Sequence, residues 1–257
     1  MSLKGKVAIV TGGARGIGAG IVKELAAEGA SVAFNYVSPS SEKLAEDLVS
    51  SVMASGGRAH CVQADMADLA SPRVIIDATL SAFSTNTIDI LVNNAGLGQN
   101  TPLASVTVEE YTKLMDVNVR SVIFMTQAVL PHFDRTHANR IVNLSSISAR
   151  GGYATQTVYA SSKAAVEGLT RVWAKELGHE YNVTVNAVNP GPVDTDMYRA
   201  AGETHLKRME EQNKNVPAAP RCGTPEDVAG IISWLCSDKA KWVTGDVVCA
   251  NGGMLFT

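Results

Sequence analysis

The sequence of 257 residues predicts an α/β fold in which helices cover both faces of a parallel sheet. Short, continuous runs of β-branched and other apolar residues recur along the chain, as expected of strands buried on both faces. Longer segments with apolar residues at helical spacing separate these runs, which is the pattern of crossover helices. No linker, charge block or repeat divides the chain, so we expect one doubly wound domain over residues 1–257.

Seven runs have the composition of buried strands, and one doubly wound sheet accommodates all of them. The first contains an uninterrupted Val-Ala-Ile-Val segment and leads directly into glycines. The predicted strands are, in chain order, Lys6 to Thr11, Ser31 to Asn35, His60 to Ala64, Ile88 to Asn93, Arg140 to Leu144, Thr184 to Asn189 and Asp246 to Ala250.

Six segments between the strands have helical spacing of apolar residues. The last begins at Thr224-Pro225-Glu226-Asp227, which supplies an N-cap, a proline at the first helical position and early acids. A polar stretch of about residues 197–222 contains two prolines and predicts a substrate loop on the binding face. The predicted helices are Ile17 to Glu28, Ser41 to Ser55, Pro72 to Phe83, Val108 to Phe133, Val158 to Glu180 and Pro225 to Ser237.

Composition narrows the classes of partner. The net charge of −3 and the pI near 6.0 give no broad basic field for nucleic acid or an anionic membrane. The first apolar run, Val7 to Val10, is too short for a leader core or a membrane span. Cysteines and histidines lack the spacing of metal ligands. We therefore expect a cytoplasmic protein that acts on a small molecule without a metal.

A glycine-rich turn follows the first predicted strand and leads into the first predicted helix. Glycines permit a tight turn and a close approach of the backbone to a pyrophosphate, whose charge meets free amides at the helix start. Strand, turn and helix together predict the phosphate loop of a Rossmann domain. The alternative is that the glycines serve the turn geometry alone. The predicted cofactor-binding residues of this loop are Gly12, Arg15, Gly16, Ile17 and Gly18.

The end of the second strand indicates which dinucleotide binds. An acidic residue there would hydrogen-bond the adenosine ribose and repel a 2′-phosphate, but this chain has Asn35-Tyr36-Val37-Ser38. Arg15 could pair with that phosphate, or it could be a solvated cation. We therefore predict NADP(H), with Asn35, Tyr36 and Ser38 in its site. Asp65 and Met66, after the third strand, are also assigned to this site, although Asp65 could simply cap the next segment.

Tyr159 and Lys163 are four residues apart in a helical pattern and therefore lie one turn apart on one face. A phenol with a pKa of about 10 exchanges protons poorly near neutrality. A neighbouring ammonium, together with the cationic oxidised nicotinamide, favours the phenolate and makes Tyr159 a general acid or base. Ser146, at the end of the fifth strand, could meet the same substrate oxygen. The alternative is that Tyr159 is a packing residue.

Five separated motifs occur in order: Thr11 to Gly18, Asn93 to Gly96, Asn118, Ser146 with Tyr159-x-x-x-Lys163, and Pro190-Gly191. Together they resemble the classical short-chain dehydrogenase/reductase family over essentially the whole chain. Within it, the chain looks most like fungal NADPH-dependent polyketide-naphthol and steroid-type ketoreductases, and like 3-oxoacyl-[acyl-carrier-protein] reductases. The resemblance implies a homotetramer that uses the helices Val108 to Phe133 and Val158 to Glu180.

The resemblance also implies roles for individual residues. Ser146 would polarise a carbonyl that Tyr159 protonates, and Lys163 would bind ribose hydroxyls and lower the tyrosine pKa. Asn118 would hold a water in a proton relay, although it could instead be a helix amide bonding nearby backbone. Further cofactor contacts would come from Asn93, Ala95 and Gly96 on the adenosine side and from Pro190, Gly191, Val193 and Thr195 near the nicotinamide.

The leading hypothesis is an oxidoreductase that reduces a ketone, or oxidises the secondary alcohol, of a hydrophobic, cyclic or polyketide/terpenoid secondary metabolite. Several segments near the catalytic residues are candidates for contact with the substrate, and we expect them to form a largely apolar lining of its binding site. They are Leu97 to Asn100, Ile147 to Tyr153, Gln156 and Met197 to Cys222. The alternatives are a 3-oxoacyl-[acyl-carrier-protein] reductase, an imine reductase and a dinucleotide-sensing scaffold without turnover.

Overall fold

Seven parallel strands form one sheet in the order β3-β2-β1-β4-β5-β6-β7, which confirms the predicted doubly wound arrangement. The computed structural model describes residues 2–256, apart from the side chain at position 204. Every strand agrees with its predicted counterpart to within two residues at each end. The strands are β1 (Val7–Val10), β2 (Ser31–Tyr36), β3 (Arg58–Gln63), β4 (Ile90–Asn93), β5 (Asn139–Leu144), β6 (Val183–Pro190) and β7 (Val247–Ala250).

Helices connect the strands across both faces of the sheet. One helical region is interrupted by a π-helical turn at Asp116–Arg120. The α-helices are α1 (Gly16–Ala27), α2 (Glu42–Ala54), α3 (Ser71–Phe83), α4 (Val108–Met115), α5 (Ser121–Val129), α6 (Ser148–Gly151), α7 (Thr157–Glu176), α8 (Asp196–Arg199), α9 (Glu203–Asn213) and α10 (Pro225–Cys236).

Apolar side chains form a separate core on each face of the sheet. Ile21 of α1 and Ile232 of α10 belong to the first core, whereas Ile75 of α3 belongs to the second. Along β1, Val10 faces the first core and Ile9 the second. This alternation explains why the strands read as continuous apolar runs, since both sides of each strand are buried. Among residues 2–256, we find no helix whose length and apolar character would let it cross a bilayer.

The predicted helix from Val108 to Phe133 is wrong as a single helix. It is divided into α4 and α5 by the π turn, and α5 ends before Pro131. The cause lies in tertiary contacts: the amide of Asn118, inside the turn, bonds both backbone groups of Leu97. A π turn widens the helix locally and is found often at functional sites.

The polar stretch after β6 contains two helices that the sequence does not predict. Thr195 caps α8 by accepting a hydrogen bond from the Tyr198 N–H at 3.3 Å. Helix α9 is rich in charged and amide side chains and buries Met209 on one side. The stretch is therefore an ordered segment over the carboxyl end of the sheet, and we refer to residues 196–213 as the substrate segment.

Candidate functional site

The glycine-rich loop leaves β1 beside β4, where the strand order reverses. Its backbone passes very close to neighbouring atoms: a Cβ on Gly18 would lie 2.2 Å from the Gly12 carbonyl oxygen. Gly12 and Gly16 have φ values of +66° and +53°, which favour glycine. No described side chain caps the start of α1. The first-turn N–H groups of α1 are therefore available to a phosphate.

Asn35 and Tyr36 support this loop from beneath. The Gly12 N–H donates to Asn35 Oδ1 at 2.9 Å, and Asn35 Nδ2 donates to the Ala64 carbonyl at 2.8 Å. Asn35 is fully buried, and the buried Tyr36 directs its hydroxyl at Glu42 Oε1, 3.3 Å away. Their side chains therefore lie inside the protein, and a contact of either residue with the cofactor stays a prediction.

Arg15 lies beside a group of serine hydroxyls at the end of β2. Its Nη2 donates to Ser41 Oγ at 2.5 Å, and Ser38 Oγ lies 3.0 Å from the same oxygen. Arg15 also faces Asp196 of the substrate segment, at 3.5 Å, across an exposed ion pair. The segment from Asn35 to Ser41 contains no acidic residue. This combination of a cation and hydroxyls is suited to a phosphate rather than to a bare ribose.

The segment after β3 supports the capping interpretation of Asp65. Its Oδ1 accepts a hydrogen bond from the Ala67 N–H at 2.9 Å, and its side chain is exposed. Met66 is buried in the second core. A contact of either residue with the adenine stays a prediction.

Tyr159 and Lys163 lie on one face of α7, as predicted, with Ser146 opposite them at the end of β5. The Lys163 Nζ is 5.9 Å from the centroid of the tyrosine ring and donates to the Leu144 carbonyl at 2.7 Å. The Ser146 hydroxyl lies near the Tyr159 phenol and acts to lower the pKa of that phenol. Its oxygen also accepts from the Ser148 N–H at 3.1 Å, which fixes the serine. The three catalytic candidates are thus brought together.

Burial shifts the pKa values of Tyr159 and Lys163 in the protein without cofactor or substrate. It raises the pKa of Tyr159, and the Ser146 hydroxyl opposes that rise. It also lowers the pKa of Lys163 to about 8. The net direction for Tyr159 is therefore opposite to the expected one, because desolvation of the phenol outweighs the effect of Ser146. A raised pKa keeps the phenol protonated at neutral pH, which is the form that a proton donor needs.

Asn118 completes the group from the π turn. Its Oδ1 accepts from the Leu97 N–H at 2.7 Å, and its Nδ2 donates to the Leu97 carbonyl at 2.9 Å and to Ser162 Oγ at 3.0 Å. A Cβ on Gly96 would be 3.3 Å from Asn118 Oδ1 and 3.4 Å from Lys163 Nζ. Gly96 therefore permits the close approach of these two polar groups.

The Asn93 to Gly96 motif joins two strands and the glycine loop. The buried Asn93 donates to Asn143 Oδ1 at 2.9 Å and to Thr126 Oγ1 at 3.1 Å. The Ala95 N–H donates to Thr11 Oγ1 at 3.0 Å. The motif therefore joins β4, β5 and the phosphate loop through buried hydrogen bonds, and its contact with the cofactor stays a prediction.

The Pro190-Gly191 motif directs the chain from β6 toward the glycine loop. The Pro190 carbonyl accepts from the Ile147 N–H at 3.0 Å, and the buried Val193 pairs with Gly223. A Cβ on Gly16 would lie 3.0 Å from Thr195 Cγ2, so Thr195 packs directly on the loop. The predicted nicotinamide-side residues are thus adjacent to the predicted phosphate loop.

Comparison with known proteins decides the family. A family model described as enoyl-(acyl carrier protein) reductase matches residues 12–255, a range that contains four of the five motifs and all of the first except Thr11. The chain belongs to the short-chain dehydrogenase/reductase family.

Relatives of this short-chain dehydrogenase/reductase include fungal enzymes and proteins solved with a cofactor. The short-chain dehydrogenase/reductase FrzI of Cladobotryum sp is 48% identical over 99% of this chain and 97% of the relative. Hydroxynaphthalene reductase arp2 of Aspergillus fumigatus is 37% identical over 96% and 91%. A blue fluorescent protein from a metagenomic library, solved in complex with NADPH, is 41% identical with a TM-score of 0.90 over 100% of both chains.

Two residues of this short-chain dehydrogenase/reductase, Ser41 and Glu167, lie at the site although sequence reasoning did not assign them to it. Ser41 bonds Arg15, and the sequence indicated only the start of a helix there. Gln99, one of the predicted substrate-facing residues, accepts hydrogen bonds from the first turn of α7. The buried Glu167 accepts from Ser145 at 3.0 Å and from Arg150 at 2.9 Å, which ties the loop after Ser146 to α7. No local sequence pattern predicts these contacts, because each contact joins segments that are distant in the sequence.

The residues present fit a nicotinamide dinucleotide phosphate. The uncapped start of α1 and the crowded Gly18 suit a pyrophosphate close to the backbone. The Arg15 and serine group suits a 2′-phosphate. Among the described residues, no group of three or more His, Cys, Asp or Glu side chains could hold a metal ion.

Proposed function

We propose that the protein is an NADP(H)-dependent ketone reductase that also catalyses the reverse oxidation of the secondary alcohol. One observation carries this proposal: the buried Tyr159 lies one helical turn from Lys163, whose Nζ is 5.9 Å from the centroid of its ring, and Ser146 acts on the pKa of its phenol. These groups stand at the carboxyl edge of the sheet, next to a loop suited to a dinucleotide. Oxidoreductase activity itself follows from the family.

In the proposed mechanism, the bound nicotinamide supplies the hydride that reaches the carbonyl carbon. As negative charge grows on the carbonyl oxygen, the hydroxyls of Ser146 and Tyr159 donate hydrogen bonds to it. Tyr159 then transfers its proton to that oxygen. Lys163 stabilises the phenolate that remains. Asn118 anchors the π turn, where a bound water could return a proton to Tyr159. The first turn of α1, with Arg15 and Ser38, would hold the phosphates.

We place the substrate among cyclic, polyketide or terpenoid ketones of secondary metabolism. The fungal relatives support this, since one carries the name hydroxynaphthalene reductase. The loop of Leu97 to Asn100 contacts Tyr159 through Gln99, and it contacts the substrate segment through Asn100. A cytoplasmic location and a single domain over residues 1–257 remain predictions.

The first test is a panel of cyclic and aromatic ketones assayed for NADPH consumption. We expect at least one to be reduced at a rate well above the rate of NADPH loss without ketone. The panel also includes 3-oxoacyl thioesters of acyl carrier protein, which test the 3-oxoacyl reductase alternative. Cyclic imines test the imine reductase alternative. If the protein binds NADPH but reduces none of the ketones in the panel, the proposal is wrong.

Replacing Arg15 by glutamine should reduce the preference for NADPH. Loss of a charged hydrogen bond to a phosphate costs roughly 1.5–3 kcal/mol, which corresponds to about 10- to 100-fold weaker binding. The affinity for NADH should change by less than about threefold, because that cofactor lacks the phosphate. Fluorescence titration with both cofactors measures the two changes. Equal weakening of NADH and NADPH binding would show that Arg15 supports the loop and not the 2′-phosphate.

We propose in addition that the chain forms a homotetramer. Large apolar side chains are exposed on the predicted interface helices, including Phe124 of α5 and Val172 of α7. A second exposed group, Trp242 and Phe256, lies near the opposite sheet edge around β7. Two separate apolar faces per subunit are what a tetramer with two-fold axes requires.

A further inference from the structure

Buried polar atoms without a hydrogen-bond partner in the protein occur at the start of α7 and on α9. In the described part of the chain, two of them belong to Gln99 and Gln156 near Tyr159, and two belong to Arg208 and Gln212 of α9; the others belong to Asn213 and to residues of β5 and β6. An unsatisfied buried polar group costs about 1–3 kcal/mol, so each needs an explanation. The two near the catalytic tyrosine point to a ligand that would satisfy them.

Gln99 is fixed at the first turn of the catalytic helix. Its Oε1 accepts from the Val158 N–H at 3.2 Å and from the Tyr159 N–H at 3.3 Å. The side chain is only 6% exposed, and its Nε2 has no partner in the described protein. The amide is therefore held beside the catalytic residue with a donor that remains unused.

Gln156 lies three residues before Tyr159 and presents an acceptor. Its Nε2 donates to Asn100 Oδ1 at 3.1 Å, while its Oε1 is buried and unpaired among the described residues. Asn100 in turn donates to the Ala201 carbonyl at 3.4 Å. These bonds place the loop of Gln99 and Asn100 between the start of α7 and the substrate segment.

Helix α9 of the substrate segment adds polar groups from the other side. His205, Arg208 and Gln212 share one face, since they are spaced by three and four residues. The Arg208 guanidinium lies 5.7 Å from the centroid of the Tyr153 ring and donates to His205 Nδ1 at 2.9 Å. The described ion pairs include no carboxylate partner for it. Arg208 Nε and Gln212 Oε1 remain unpaired.

The four unpaired atoms comprise two donors, on Gln99 and Arg208, and two acceptors, on Gln156 and Gln212. A hydrocarbon would satisfy none of them, and a carboxylate would satisfy only the donors. A hydroxyl group both donates and accepts. We infer that the ketone substrate carries hydroxyl groups, at least one of them on the carbon next to the carbonyl, where Gln156 would receive it. This deepens the proposed function, on which it rests, and replaces the largely apolar lining expected from the sequence.

The kinetic test compares cyclohexanone with 2-hydroxycyclohexanone in wild type and in Gln156→Leu. A site built to bond a hydroxyl discriminates strongly against the analogue without it, so wild type should prefer the hydroxyketone at least about tenfold in kcat/KM. The α-hydroxyl also changes intrinsic reactivity, so the diagnostic quantity is the change in this ratio. Gln156→Leu should lower it at least about tenfold, the loss of one hydrogen bond.

A matched pair on α9 extends the test. Arg208→Met should lower the ratio in the same direction, whereas Lys207→Met should preserve it. Lys207 is the preceding residue, is exposed, and pairs with Glu203 at 2.7 Å on the outer surface. A fall in kcat/KM that is equal for both ketones in Gln156→Leu would indicate a structural role and overturn the inference. So would a wild-type preference for cyclohexanone.

A binding measurement separates this inference from the proposed function. Calorimetry on the NADP⁺-saturated protein compares trans-1,2-cyclohexanediol with cyclohexanol. We expect the diol to bind at least about tenfold more tightly in wild type, and the difference to disappear in Gln156→Leu. If neither ketone is reduced, the proposed function is wrong. The calorimetry would still show whether the site prefers a ligand with a second hydroxyl group. Equal binding of the two alcohols, or none, overturns the inference, since the polar atoms would then be satisfied by water alone.

Discussion

Replacing Tyr159 by phenylalanine should reduce kcat for ketone reduction roughly a thousandfold, because general acid catalysis contributes about 10²- to 10⁴-fold. The change removes the hydroxyl whose pKa Ser146 affects and leaves the ring, and hence the packing, in place. NADPH affinity should stay within about threefold of wild type, since the hydroxyl contacts substrate rather than phosphate. Turnover at saturating ketone measures the first change, and fluorescence titration measures the second.

Tyr181→Phe is the matched control for this variant. The Tyr181 ring lies under the Arg135 guanidinium, 4.5 Å from its centroid, at the opposite end of the sheet from the site. Removal of its hydroxyl should leave kcat unchanged. A Tyr159→Phe enzyme that keeps more than about a tenth of the wild-type rate would show that another group delivers the proton.

Replacing Gly18 by alanine should disrupt the phosphate loop. The added Cβ would lie 2.2 Å from the Gly12 carbonyl oxygen and 2.6 Å from Asn94 Nδ2. Backbone at such a contact must move, and overpacking of this kind costs about 1–3 kcal/mol or more. We expect NADPH to bind up to about 100-fold more weakly and the melting temperature to fall. Titration and thermal unfolding measure the two effects.

Gly230→Ala supplies the control for this second variant. Gly230 lies inside α10, and nothing stands within 4 Å of the Cβ position there. Alanine is about 1 kcal/mol more favourable than glycine in a helix, so this variant should be as stable as wild type or more so. Wild-type NADPH affinity in Gly18→Ala would show that the loop relaxes without cost and that its crowding does not shape the site.

The strands and the glycine loop could be predicted because their signals are local. Buried parallel strands have continuous apolar runs, and the loop needs glycine where no Cβ fits, as at Gly18. The same holds for the pairing of Tyr159 with Lys163, which depends only on helical spacing. Ser146 then follows from the rule that sites lie at the carboxyl ends of parallel strands.

The features that the sequence did not predict arise from contacts between distant segments. The π turn depends on hydrogen bonds between the Asn118 amide and the backbone of Leu97. The helical spacing of apolar residues does not predict these bonds. The Asn35 side chain, which the sequence assigns only to the cofactor site, is buried and accepts a hydrogen bond from the loop amide of Gly12. Helix α9 has few apolar residues, so its order depends on packing against other segments.

The pKa of Tyr159 was also beyond sequence reasoning. A charge at helical spacing suggests a lowered value, whereas the extent of burial is known only once the fold is complete. Burial raises the pKa of the phenol and lowers that of Lys163 to about 8. In the proposed mechanism, the lysine would therefore support the phenolate after the proton has left, when the two opposite charges can stabilise each other.

Transfer of deuterium from NADPH labelled at the hydride position tests the central claim most directly. Wild-type protein is incubated with labelled NADPH and a ketone that it consumes, and the alcohol is analysed by mass spectrometry. We predict one deuterium on the carbinol carbon, a hydroxyl proton from solvent, and almost no labelled product with Tyr159→Phe. Unlabelled alcohol, or labelled product formed equally well by Tyr159→Phe, would contradict the account of hydride transfer assisted by this tyrosine.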